Sequence, residues 1–198
     1  NNFMGDPLHS RPVVITYKGT AGQTPEEVLF FATNLGTLHA VDPADDEGGE
    51  LWAHMPVQHQ NNLRNYITAP FTNQHTYGLD GEMTVVTEEK TTSNSTNFEL
   101  DSVQLYLGER RGGSHYYGYD VSNARIDADI GLELDDSYTT PFKRLWTITG
   151  GVHSILNSPA VNYIPEIATA GFTDLAQTWS KMEPAKLKSS AGSHDVLI

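Results

Sequence analysis

The chain has 198 residues, 38% hydrophobic and 19% charged, a balance that supports a sizeable core and excludes intrinsic disorder. Its 25 acidic and 12 basic residues give a formal charge of -13, which argues against nucleic acid or an anionic membrane as a partner, since both demand a basic face. The absence of cysteine excludes a disulfide framework, a thiolate metal site and a cysteine nucleophile, and no run approaches the ~18 apolar residues of a membrane span.

In chain order, the first unit opens near His9, where 9–15 pairs a turn with an alternating apolar run of strand length. Residues 18–27 are rich in Gly, Thr and Pro and read as an exposed loop. A second strand is expected over 28–33 and a third over 37–42. Gly36 lies between them, where a tight hairpin favours positive φ. Asp42 follows the third strand, placed to accept backbone N–H groups of the next turn. Glu50-Leu51-Trp52 closes the unit, with Trp52 offering a flat apolar face to pack between neighbouring sheets. After Pro56, residues 55–66 read as a short helix with Val57, Leu63 and Tyr66 as its apolar contacts.

The pattern then recurs. Residues 80–86 open a second unit, 88–97 form a polar loop, and strands are expected over 103–108 and 115–120. Gly112 or Gly113 takes the place of Gly36, Asp120 that of Asp42, and Trp146 that of Trp52. An acidic stretch over 124–136 separates Asp120 from Trp146. Residues 153–170, with Pro159 and Pro165, read as an insertion, and 172–177 as one helical turn. A third unit opens at Trp179 with a second strand from Asp195. It stops at Ile198 inside an expected strand, so the C-terminal end reads as truncated. The N-terminus lacks the basic and apolar regions of a signal peptide. Strand-turn-strand units with a fixed Gly, Asp and Trp are the mark of β-propeller blades. The fold class is therefore all-β: residues 1–198 are part of a single propeller domain, with blade-like units starting near 9, 80 and 179. At ~40–45 residues per blade, the ring is incomplete within this chain. Alone, the segment is expected to be marginal or to associate through exposed edges.

The chemistry-bearing residues form no catalytic constellation. The eight histidines are scattered, and no pair has zinc-site spacing on a credible helix. His39 and His115 hold matching places and suggest a shared structural slot. The acidic clusters around Asp42 to Glu50 and Asp127 to Asp136 lack the alternation of a calcium loop and read as solvated. The run from Gly108 to Gly113 leads into a strand, so it lacks the helix N-terminus of a phosphate site. Arg110 and Arg111 stand at its tip as exposed guanidinium groups able to grip carboxylates, and are the candidate partner-binding residues. Ser154 and Ser158 lie near His153 without a nucleophile elbow.

Several segments together carry a family resemblance. They are Gly5-Asp6-Pro7-Leu8-His9-Ser10-Arg11-Pro12, Ala32 through Asp42 with Glu50-Leu51-Trp52, Tyr77-Gly78-Leu79-Asp80-Gly81, Gly108 through Asp120, and Asp174 through Ser180. Their order and spacing resemble the C-terminal propeller domain of PilY-type proteins, the tip-associated adhesins and biogenesis factors of bacterial type IV pili. A single unit is shared with quinoprotein propellers; the full set is more specific. The resemblance implies a modified seven-bladed propeller that supports pilus extension and surface attachment, without enzymatic activity. It implies pilus subunits or minor pilins and a host or abiotic surface as partners, at the bacterial cell surface. The family's calcium loop is expected beyond Ile198, so no cofactor or metal ligand is carried onto these residues. The alternatives are an outer-membrane assembly scaffold, or a fragment of a quinone-cofactor dehydrogenase, which the missing cysteine pair disfavours.

Overall fold

The computed structural model describes residues 4–46, 49–60, 63, 77–94, 96–125, 140–150, 168–175, 177–189 and 192–197. Strands make up 44% of the chain and helix 6%, which settles the class as mainly β. Among the described residues, ten strands form in order: β1 (Val13–Thr20), β2 (Glu26–Ala32), β3 (Leu38–Val41), β4 (Glu50–His54), β5 (Met83–Glu89), β6 (Asn97–Gly108), β7 (His115–Asp120), β8 (Lys143–Thr149), β9 (Pro184–Ser189) and β10 (Gly192–Leu197). One short helix, α1 (Val57–Gln60), follows β4.

β1 to β4 pair in sequence as an antiparallel meander, and β5 to β8 do the same. The meanders join where Lys18, Gly19 and Thr20 of β1 pair with Glu99, Phe98 and Asn97 of β6. The result is an open, strongly curled half-barrel sheet. β9 and β10 form a separate two-stranded sheet. The strand over 28–33 begins earlier, at Glu26, and the expected loops shorten to 21–25 and 90–96. Main-chain pairing explains this: Glu26 pairs with Lys18, and Asn97 with Thr20, so polar residues at strand ends are drawn into the ladder.

Alternation decides which face is buried. Val28, Phe30 and Ala32 of β2, Leu38 and Ala40 of β3, Val103, Leu105 and Leu107 of β6, and Tyr117 and Tyr119 of β7 all line one apolar cluster. One face of each meander therefore contributes to a single shared core. The seam between them is polar as well as apolar. Trp52 is buried there, its ring 5.9 Å from Phe30 and 4.8 Å from Phe142, and its Nε1 donates to the Ala124 carbonyl at 3.0 Å. Tyr17 donates its hydroxyl to the Val121 carbonyl at 2.8 Å. Arg125 reaches back to the Glu27 carbonyl and to Asp42 Oδ2, the latter at 2.7 Å.

Two expected turn roles hold. Asp42 Oδ1 accepts from the Ala44 N–H at 2.9 Å, and Asp120 Oδ1 from the Ser122 N–H at 3.0 Å. Gly36 has φ 79°, in the region open to glycine. The two tryptophans, however, lie on opposite faces of their sheets. Trp52 pairs with core-facing Ala40, whereas Trp146 pairs with Gly118, which alternates with the core-facing Tyr117 and Tyr119. Trp146 stacks on Tyr106 at 5.6 Å and covers Gly118, where any Cβ would strike the indole.

Trp52→Ala is expected to destabilise the chain by about 3–5 kcal/mol, because it empties the seam of its largest side chain. Trp52→Phe retains part of the ring but forfeits the bond to Ala124, and should cost about 1–3 kcal/mol. Urea denaturation followed by circular dichroism measures both. Equal stability of Trp52→Ala and wild type would show that the seam does not hold the meanders together.

Candidate binding surface

Because successive strands reverse direction, the β2–β3 and β6–β7 turns lie at one end of the meanders, as do the connections leaving β4 and β8. The β6–β7 turn is the centre of this end. It begins with Glu109, which is 1% exposed although it follows directly on the strand and precedes two arginines. A buried carboxylate requires partners. Glu109 Oε1 lies 2.9 Å from His59 Nε2 and accepts from the Tyr117 hydroxyl at 2.6 Å. Oε2 lies 2.7 Å from His115 Nδ1 and accepts from the His115 backbone N–H at 2.9 Å. Burial alone would raise the Glu109 pKa; the charge of His59 and the hydrogen bonds from His115 and His59 outweigh it and hold the carboxyl well below its usual range.

This network explains α1. Val57 and Leu63, expected to make the apolar contacts of the helix, are 53% and 43% exposed, and the inward residue is His59, drawn to Glu109. Tyr66 lies outside the described residues. His59 packs over the turn at Gly36, where a Cβ would come within 2.6 Å of the imidazole. His39 and His115 do not share a slot. His115 is on the core-facing side with Tyr117 and Tyr119. His39 alternates with buried Leu38 and Ala40, stacks on Phe31 at 4.8 Å and meets Glu50 at 2.5 Å.

The glycines of the turn also differ from expectation. Neither Gly112 nor Gly113 has positive φ of the left-handed kind; Gly113, at φ 165°, is extended. Their small size is what matters: a Cβ at Gly112 would overlap the Gly78 carbonyl, and one at Gly113 the Glu109 carboxylate. The left-handed residue is Arg110, with φ 52°. A 3-10 turn over Arg110–Gly112 follows, closed by the Gly112 N–H on the Glu109 carbonyl at 2.8 Å.

An irregular segment beyond residue 176 locks the turn from outside. The Thr178 hydroxyl, buried, accepts from the Glu109 N–H at 2.7 Å and the Arg110 N–H at 3.1 Å, and the Thr178 N–H donates to the Gly113 carbonyl at 3.3 Å. The same segment brings up Trp179. Trp179, read from the sequence as a structural residue opening a third unit, is 51% exposed, while Thr178 takes the buried position beside the turn. The Arg110 and Arg111 guanidinium carbons lie 5.3 and 5.6 Å from its ring centroid. Arg111 also lies 5.3 Å from the Tyr77 ring and donates to the Tyr77 hydroxyl at 3.0 Å. The structure thus brings Arg110, Arg111 and Trp179 together. The remaining expected positions, Gly36, Asp42, Trp52, Asp120 and Trp146, serve the turns and sheet packing.

Sequence reasoning missed Glu109 and His59. Inside Gly-Glu-Arg-Arg a glutamate reads as solvated, and no local signal marks burial that arises from a helix fifty residues away in the chain. The insertion at 153–170 and the acidic stretch beyond 125 fall largely outside the described residues. Among the described residues, no three His, Asp or Glu side chains are grouped to hold a metal ion, and no helix is long and apolar enough to cross a membrane. Comparison with family models, with curated proteins and with solved structures produced no match to this chain.

Glu109→Gln should destabilise the chain by about 3–5 kcal/mol at neutral pH, since it breaks a buried ionic network by removing one partner. A carboxyl whose folded pKa lies below its unfolded value stabilises the fold above the unfolded value, about 4.3, and loses that contribution as pH falls toward the folded one. The gap between wild type and variant is therefore expected to be full at pH 7 and to narrow below about pH 4. Denaturant titrations across that range check it; a gap that grows on acidification would contradict the assignment.

Proposed function

We propose that the two meanders are consecutive blades of a propeller-type scaffold, and that the chain works as a non-enzymatic binding module. The observation that carries this is the placement of Trp52 and Trp146. Trp52 lies on the face that the first meander turns toward the second. Trp146 lies on the face that the second meander turns away from the first. That outer face is where the chain continues: the Thr84 hydroxyl donates to the Met182 carbonyl, and the Tyr116 hydroxyl to the Ser180 carbonyl at 3.0 Å. Each tryptophan thus sits toward the unit that follows, which is the arrangement expected of blades packed face to face around an axis.

Within that scaffold we assign the role implied by the sequence resemblance: a type IV pilus biogenesis and tip-adhesion domain at the bacterial cell surface. Its work is recognition and attachment, with pilus subunits and a host or abiotic surface as partners. The loop end carrying Arg110 and Arg111 is the partner-facing surface, since turns over a rigid scaffold are free to serve binding.

Deletion of the encoding gene in its source bacterium is expected to abolish surface pili and attachment, and the intact gene to restore both. Electron microscopy and adhesion counts provide the readout. Normal pili in the deletion strain, or loss of a dye-linked dehydrogenase activity with pili intact, would overturn the assignment.

A further inference from the structure

We infer that the Arg110–Arg111 turn is a clamp for a carboxylate side chain of a polypeptide partner, with Trp179 as its floor and Tyr77 as its side wall. The inference rests on the reading of this end as the partner-facing surface and names what that surface takes. The first observation is charge. In a chain of net charge -13, arginines have abundant carboxylates to pair with. Among the described residues, Arg11 pairs with Glu82 and Arg125 with Asp42, whereas Arg110, Arg111 and Arg144 pair with no carboxylate. Arg110 and Arg111 instead converge on one indole. Two like charges held over the same ring repel, and an anion placed between them turns that repulsion into two charge-assisted hydrogen bonds.

The second observation is that the convergence is built rather than incidental. Arg110 is, among the described residues, the one non-glycine with positive φ, a conformation that costs free energy and relaxes unless its surroundings fix it. Here Thr178 accepts its N–H, and Glu109 immediately before it is anchored by His59, His115 and Tyr117. Arg111 is aimed by its bond to the Tyr77 hydroxyl, and the Gln177 side-chain amide donates to its carbonyl at 3.4 Å. Trp179 is held half open by its own bond from Nε1 to Gln177 Oε1 at 3.1 Å. Guanidinium groups preorganised in this way lose less entropy on meeting a planar carboxylate.

The third observation selects a polypeptide. A dense polyanion, whether nucleic acid or an anionic membrane, meets long-range repulsion from a protein of this charge. A peptide bearing isolated acidic residues between apolar ones meets far less of it, and its apolar side chains can lie on the exposed Trp179 and the half-buried Tyr77.

The test is fluorescence anisotropy of the purified chain with a labelled peptide, Gly-Leu-Glu-Leu-Glu-Leu-Gly, and its glutamine counterpart. The glutamate peptide is expected to bind saturably and the glutamine peptide at least about tenfold more weakly, as is usual when a charged hydrogen-bond partner is lost. Arg110→Ala with Arg111→Ala should weaken binding by a similar factor. Arg111→Lys should weaken it too, because one ammonium cannot make two parallel bonds. Trp179→Ala provides a variant that keeps both charges and removes the floor. Thermal melts of these surface variants, expected near wild type, separate lost binding from lost folding. Equal binding of the two peptides, unchanged binding by the arginine variants, or tighter binding to vesicles containing phosphatidylserine overturns the clamp. Peptide binding lost in the variants supports it whether or not the deletion strain makes pili. Absence of peptide binding overturns it even where that strain has lost them.

Discussion

The loop end of the molecule depends on a single buried charge. Glu109 cannot lie at 1% exposure without partners, and it takes them from two directions: His59 from α1, and His115 with Tyr117 from β7. Satisfying it therefore fixes the connection after β4 to the turn between β6 and β7, although the two are separated by some fifty residues of chain. With Glu109 in place, Thr178 can meet two backbone donors of the turn at once. Arg110 then sits in a left-handed conformation that costs a non-glycine residue free energy.

The opposite end closes the seam. The turn that follows β7 supplies the Val121 and Ala124 carbonyls and the Arg125 guanidinium to Tyr17, Trp52 and Asp42 of the first meander. Each of these bonds crosses between meanders whose apolar faces already share a core. Burial provides most of the attraction and is non-directional; the hydrogen bonds supply direction. The two ends thus divide the labour. One locks the meanders together, and the other holds a polar network beneath a surface left open.

How far the sequence revealed this depends on the range of each interaction. The strands were legible because alternation is local: Val28, Phe30 and Ala32, or Val103, Leu105 and Leu107, announce a buried face by themselves. Gly36, Asp42 and Asp120 were legible for the same reason, since each acts within a few residues. Trp52 was legible as a packing residue, although its partner Ala124 was not. Glu109 and His59 were invisible, because each looks like an ordinary surface residue until the other is brought to it. The exposure of Trp179 carried no local signal, since it follows from the tertiary claim of Thr178 on the adjoining buried position. The arginines were picked out from chemistry alone; that they share an aromatic floor is a property of the fold.

Amide hydrogen exchange at Glu109, Arg110, His115 and Thr178, compared between wild type and Glu109→Gln, tests the central claim most directly. If the buried carboxylate organises this end, these amides exchange slowly in wild type and quicken together in the variant, while Val28 and Leu105 in the core strands stay protected. Amides that exchange quickly already in wild type, or stay slow once the charge is gone, would contradict the account.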